Sequence, residues 1–272
     1  MKIKTIIVSD IHLGNPYSNW ISLEDFLMKH PCEFLFLNGD IIDEHYLTQN
    51  NKELSEDENN FLYWMMNLKN TEVKYIIGNH EDFDHQIPEK GEIWDKYKIK
   101  VYHHVLYNFN ISKLWVTDKE QLYAAPKRYY ISHGHDTIFS NFITGSPKIL
   151  KLIDWTIRCL AKVQKIHSGL VFRKGKFEVQ EGVEFELLSN DSRKFFRTGL
   201  KIISGYKRKA KILKSMFSAS GIICGHIHHP EIKYLKSKYL KSKFPYMNSG
   251  DWLENNSLLI QDHFGKWRII KL

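Results

Sequence analysis

Residues 3–14 read IKTIIVSDIHLG. A short run rich in β-branched residues ends in an acid, and a histidine follows two positions later. The run predicts a first strand rather than a secretory leader, because acid follows the apolar stretch at once. Residues i and i+2 of an extended segment point to the same side. Asp10 and His12 can therefore aim two metal-ligand groups at one place from the tip of that strand.

The same design recurs along the chain. EFLFLNGD is a buried strand ending in Asp40, and VKYIIGNHE is another, ending in Asn79 and His80. Between them, SLEDFLMKH and SEDENNFLYWMMNLK read as helices, with Ser22 as an N-cap of the first and a capping serine followed by early acids opening the second. Strand, polar tip, helix, strand is the βαβ rhythm of an α/β sheet. Ligands bind such sheets beyond the carboxyl ends of the strands. After about residue 100 the pattern turns to β: KLWVTD, QLYAA, RYYISHGHD, SGIICGHIHH, EIKYL, SLLIQD and KWRIIKL all read as strands. A two-layered β core flanked by helices accommodates both halves.

Five stretches thus place ligand-type residues just after an apolar strand. They are SDIHLG (Asp10, His12), NGD (Asp40), GNHE (Asn79, His80), SHGHD (His133, His135) and GHIHHP (His226, His228, His229). Each has an ordinary reading, since an acid after a strand often caps a helix and GN often marks a turn. Their joint occurrence in one order is what points to a site. Carboxylate, imidazole and amide oxygen together suit a divalent ion of intermediate hardness, Mn²⁺ first, with Fe²⁺ or Zn²⁺ as alternatives. Asp40, alone at its strand tip, is suited to bridge two ions. Two ions roughly 3.5–4 Å apart clamp a phosphoryl group and lower the pKa of water.

The ordered set D-x-H, G-D, G-N-H-[DE], H, G-H-x-H resembles the calcineurin-like metallophosphoesterase superfamily over residues 5–230. The resemblance implies an α/β fold, a β-sandwich flanked by helices, with a dinuclear metal centre at the strand ends. It implies that Asp10, His12, Asp40 and His228 hold one metal and that Asp40, Asn79, His133 and His226 hold the other. His80 is implied to sit by the substrate phosphate, as proton donor to the leaving group or as transition-state stabiliser. His135 and His229 match no ligand position of the family; the first reads as a supporting or packing residue, the second as a wall of the site.

Within the superfamily, SDIHLG and the tail NSGDWLENNSLLI resemble the bacterial UDP-2,3-diacylglucosamine diphosphatases of lipid A synthesis and their relatives. That resemblance implies hydrolysis of a nucleotide–glycolipid pyrophosphate to UMP and 2,3-diacylglucosamine 1-phosphate. One departure is plain: the best-known diacylglucosamine enzymes carry Arg after the G-N pair, where this chain has His80. Another phosphodiester or nucleotide, cleaved by a phosphodiesterase or nuclease on the same fold, is the alternative substrate class.

The chain reads as one 272-residue domain with a helical cap inserted at about residues 139–219. The net charge of +8 is concentrated there. Residues 140–220 hold 17 Lys and Arg against 6 Asp and Glu, while the remainder holds 22 against 25. Apolar and aromatic residues, among them Phe139, Phe142, Ile143, Trp155, Phe195 and Phe196, interleave with these bases. A lid over acyl chains and a pyrophosphate needs both kinds, and Arg193 and Arg197 are candidate phosphate contacts. The same segment could rest on an anionic leaflet. It could also be no more than a solvated, lysine-rich helical face. A nucleic-acid backbone is a less fitting partner, because the apolar residues follow helix periodicity instead of forming stacking platforms.

No window approaches the roughly 18–20 unbroken apolar residues of a membrane-spanning helix. Three separated cysteines without a CxxC pair argue against a disulfide framework and fit a reducing cytoplasm, with peripheral contact at the inner membrane. A non-catalytic scaffold on the same fold is a third reading, which metal content would separate from an enzyme.

Overall fold

The computed structural model describes residues 2–81, 91–109, 114–116, 120–122, 127–134, 206–236 and 243–272. The chain divides into two compact units, Met1–His135 with Tyr206–Leu272, and Asp136–Gly205. The second unit lies outside the described residues. With it lie most of the expected cap, Arg193, Arg197 and the aromatic residues named above.

The first unit begins with β1 (Ile3–Val8), α1 (Trp20–Lys29), β2 (Phe34–Asn38), α2 (Glu44–Gln49), α3 (Glu56–Met66) and β3 (Glu72–Ile76). It continues with β4 (Glu92–Trp94), β5 (Ile99–Tyr102), β6 (His104–Phe109), β7 (Leu114–Val116), β8 (Glu120–Leu122) and β9 (Lys127–Ser132). After residue 205 come α4 (Tyr206–Met216), β10 (Gly221–Cys224), β11 (Glu231–Lys236), β12 (Lys243–Asn248), β13 (Ser257–Asp262) and β14 (Trp267–Lys271). Helix α4 falls inside the residues expected to form the cap, yet it belongs to the first unit.

Two mixed sheets carry the fold, with strand orders β14-β13-β1-β2-β3-β5-β4 and β11-β12-β10-β9-β6. A separate hairpin joins β7 to β8. Strands β1, β2 and β3 run parallel in the first sheet, and β9 and β10 run parallel in the second. Their carboxyl ends lead into the loops that hold the expected ligands.

The period of two in the strand sequences sets the layers. In β1, Ile6 and Val8 pack with Leu23, Phe26, Phe61 and Met65 of the helices. Ile7 points to the other face and packs with Phe36, Ile131, Ile223 and Met247, between the sheets. The same split divides Leu35 and Leu37 from Phe36 in β2, and Leu258 and Ile260 from Leu259 in β13. Strands buried on both faces read as nearly continuous apolar runs, which is what IKTIIV, FLFLN and SLLIQD are. Sandwich and helical layer therefore share one sheet.

Helix α3 starts as expected. Ser55 caps it, and Glu58 returns the bond in a reciprocal capping box. Helix α1 does not. It begins at Trp20 with Asn19 at the cap position, and no side chain closes that end. Ser22 lies inside the first turn, because the helix starts three residues earlier, where Trp20 packs against Phe61. Cys32 and Cys224 are buried and form no disulfide among the described residues. No helix among the described residues is long and apolar enough to cross a membrane.

Candidate metal centre

The loops after β1 and β2 run side by side. Asp10 N donates to Gly39 O (2.9 Å), His12 N to Asp40 O (2.9 Å) and Leu13 N to Ile41 O (2.8 Å). These bonds extend the parallel pairing of the two strands past their ends and bring SDIHLG beside NGDIID. The loop after β10 reaches over from the second sheet, and His226 N donates to the Asp10 carboxylate at 3.1 and 3.2 Å. Gly225 is required at that crossing, since a Cβ there would lie 2.6 Å from Asp10 Oδ2.

Three ligand clusters result. Asp10, His12 and His228 form one, Asp40, His133 and His226 a second, and His12, Asp43 and His80 a third. Within each, the candidate ligand atoms all lie within 4.8 Å of one another. His133 Nε2 lies 3.0 Å from Asp40 Oδ2 and 3.9 Å from Asp10 Oδ1, linking the first two. His228 Nε2 lies 3.1 Å from Asp10 Oδ1. Asp10, His12, Asp40 and His133 are all buried.

Asn79 occupies the loop between Gly78 and His80, with its side chain exposed. Its neighbours are tied to the cluster: Gly78 N donates to Glu81 Oε2 (2.6 Å) and His80 N to Asp40 Oδ1 (2.9 Å). His229 stands at the rim, half-buried, 3.9 Å from Glu231. His135 lies outside the described residues.

The backbone bears strain at the same places. Asp10 (φ 54°), His12 (φ 55°), Asp40 (φ 51°), His226 (φ 66°) and His228 (φ 47°) all adopt left-handed conformations. Such non-glycine geometry costs on the order of 1–3 kcal/mol per residue and persists only where the surroundings over-determine it.

Electrostatics follow from carboxylates buried among imidazoles. Burial alone would raise the Asp40 carboxyl, but His133, His12 and His80 hold it well below the usual carboxylate range. Burial opposes a charge on His133, yet Asp40 and Asp10 push it up to about 10. His228 is likewise pushed up to about 9, against its desolvation, chiefly by Asp10. Desolvation and the neighbouring His133 push the half-buried His226 down to about 4. The two carboxylates draw positive charge into the cluster, a demand that divalent ions meet.

The sequence of the chain agrees with this geometry at the family level, for the calcineurin-like phosphoesterase profile matches residues 3–230. The chain belongs to the calcineurin-like phosphoesterase family. A search of curated proteins finds no match. Among solved structures, similar chains include an archaeal phosphodiesterase (13% identity, TM-score 0.42, covering 99% of this chain and 100% of that one). Others are a dimetal phosphatase from Danio rerio (11%, TM-score 0.42, 99% of each chain) and vacuolar protein sorting 29 from Cryptosporidium parvum (10%, TM-score 0.32, 98% and 96%).

This calcineurin-like phosphoesterase is thus a metal-dependent hydrolase with a mixed α/β fold of two sheets, in a family that uses two metal ions. Its residues fit such a centre on independent grounds. His12 Nδ1 lies 3.2 Å from Asp43 Oδ2, while its Nε2 is buried with no hydrogen-bond partner among the described residues. His133 Nδ1 lies 2.9 Å from Asn38 O, which turns Nε2 toward Asp40. An imidazole anchored through one nitrogen and presenting the other is the usual posture of a metal ligand.

Two residues in the phosphoesterase site carry roles that the sequence reading missed. Asp43 holds the rings of both His12 and His80, at 3.2 and 2.8 Å, accepts from Asn15 Nδ2 at 3.1 Å, and caps α2 through Tyr46 N. Glu81 is buried and accepts from the backbone N–H of Asp40 (3.0 Å), Ile41 (2.6 Å), Ile42 (3.3 Å) and Gly78 (2.6 Å) and from Tyr75 OH (3.0 Å). It builds the turn that aims Asp40. Burial and the nearby Asp40 push its carboxyl up to about 7. A signal existed for each: the second acid of GDIID, and the acid that closes GNHE.

Proposed function

We propose that this chain is a dinuclear-metal phosphohydrolase that cleaves the pyrophosphate of UDP-2,3-diacylglucosamine, giving UMP and 2,3-diacylglucosamine 1-phosphate. The observation that carries hydrolysis is the convergence of Asp10, His12 and His228 with Asp40, His133 and His226. The substrate rests on sequence likeness, in SDIHLG, in NSGDWLENNSLLI and in the insertion between SHGHD and GHIHH. Asp10, His12, Asp40 and His228 would hold one ion, and Asp40, Asn79, His133 and His226 the other, with Mn²⁺ best suited to the donor set. When bound, such ions polarise the phosphoryl oxygens and lower the pKa of water.

The remaining chemistry belongs to side chains. His80 keeps Nδ1 on Asp43 (2.8 Å), so Nε2 is the nitrogen free to serve the substrate. Burial opposes a charge on this ring, but Asp43 and Asp40 raise its pKa above the ordinary value, favouring the protonated form. As water oxygen bonds to the α-phosphorus and gives up a proton to solvent, the bond to the bridging oxygen breaks. The electron pair leaves with that oxygen, and the Nε2 proton of His80 passes to it. Arg193 and Arg197 would contact the phosphates, and the basic insertion would meet an anionic leaflet on the cytoplasmic side.

A second reading is a phosphodiesterase acting on another diester. It is favoured by His80, which stands where the diacylglucosamine enzymes carry Arg. Product analysis decides between them, with UDP-diacylglucosamine and a generic diester incubated in Mn²⁺ and in chelator. UMP released only with metal supports the first reading. Absence of UMP alongside brisk diester hydrolysis selects the second. No turnover of either substrate by Mn²⁺-loaded protein would defeat both.

A further inference from the structure

Beyond residue 230, where the family match ends, the chain returns to the ligand loops. Residues 248–257 clasp them. Asn248 Nδ2 donates to Gly225 O at 2.6 Å, and Ser9 Oγ, beside Asp10, donates to Gly250 O at 3.0 Å. Trp252 N donates to Asp10 O at 3.0 Å.

The last link of the clasp is a single amide. Asp251 is fully buried, and its Oδ1 accepts from the backbone N–H of Leu253 (3.0 Å), Glu254 (2.7 Å) and Asn255 (3.3 Å). Its Oδ2 accepts from Asn255 Nδ2. That same nitrogen donates to His228 O at 3.0 Å. One amide nitrogen has two hydrogens, and the two bonds use both. His228 and Asp10, the residues so held, are both in left-handed backbone conformations, and their side chains meet at 3.1 Å.

We infer that Asn255, held by Asp251, is a positioning residue that sets the backbone of His228 and thereby tunes one metal site of the pair. Asn255 acts through the His228 carbonyl, which fixes where that imidazole stands against Asp10. The cluster of Asp40, His133 and His226 receives no bond from Asn255, so the effect falls on the ion of Asp10, His12 and His228. The inference rests on the proposed two-ion centre.

The test is a calorimetric titration of metal-stripped, full-length protein with Mn²⁺, for wild type and Asn255→Ala, at a temperature where thermal melts show both folded. Wild type is expected to bind two ions. If it binds none, the two-ion reading itself fails, independently of Asn255. Asn255→Ala is expected to keep one wild-type affinity and to bind the other ion 10–100-fold more weakly, the usual cost of losing a group that orients a ligand. Unchanged affinity for both ions would overturn the inference, even with a lowered melting temperature, because that outcome is loop stabilisation alone. Equal weakening of both ions would overturn it as well. Where Asn255→Ala does not fold, Asn255→Gln replaces it. Its amide sits one methylene too far out, and the same outcomes decide.

Discussion

His80 enters the site on a loop tied to Asp40 by its backbone and to Asp43 by its ring. In the proposed role of proton donor, His80 would matter most where the leaving group is a poor one. His80→Ala is expected to lower kcat about 10²–10⁴-fold on an alkyl leaving group. The loss should be far smaller on a nitrophenyl diester, whose leaving oxygen needs no proton, and metal content should stay unchanged. Equal losses on both substrates would remove His80 from the donor role. Glu81, next in sequence, does different work. Facing four backbone N–H groups and one hydroxyl, it is an acceptor for the Asp40 turn.

At the scale of elements, α2 and α3 show how differently two capped helices can serve. The Asp43 carboxylate that caps α2 also grips two histidines, so helix start and site are one structure. Ser55 and Glu58 cap α3, and among the described residues their hydrogen bond toward the cluster is the one from Gly14 N to Glu58 Oε1. Ser55→Ala is therefore expected to cost about 1 kcal/mol of stability in urea unfolding while leaving kcat/KM within twofold. A large drop in activity with the fold intact would mean that α3 positions the SDIHLG loop through Gly14.

At the scale of the molecule, seven strands of one sheet and five of the other meet so that their loops share one buried pocket of charge. Asp10 and Asp40 lie in it with almost no exposure to water. Ions that bind only the folded chain stabilise it by mass action, about 2.7 kcal/mol per site at a hundredfold excess over Kd. For a chain of this size that corresponds to roughly 5–10 °C per site. Calorimetric scans with Mn²⁺ and with chelator are expected to differ by at least that much. Coincident melts would show that the pocket folds without regard to a cation.

The strand–tip–helix rhythm and the period of two within IKTIIV, FLFLN and SLLIQD were readable in the chain, because local periodicity determines which face each side chain takes. The D-x-H, N-G-D and G-H-I-H stretches were readable for the same reason, each being a short segment just after a strand. Only the tertiary structure decided that Asp43 joins His12 to His80, that Glu81 braces the turn of Asp40, and that Asn255 reaches His228 from outside the family's span. Each of these contacts joins segments far apart in the chain or turns on a backbone bent to positive φ by its neighbours. Ser22 shows the converse, since a good local cap signal lost to the packing of Trp20 on Phe61. Local sequence sets which groups can stand at a strand's end, and packing between distant segments sets which of them meet.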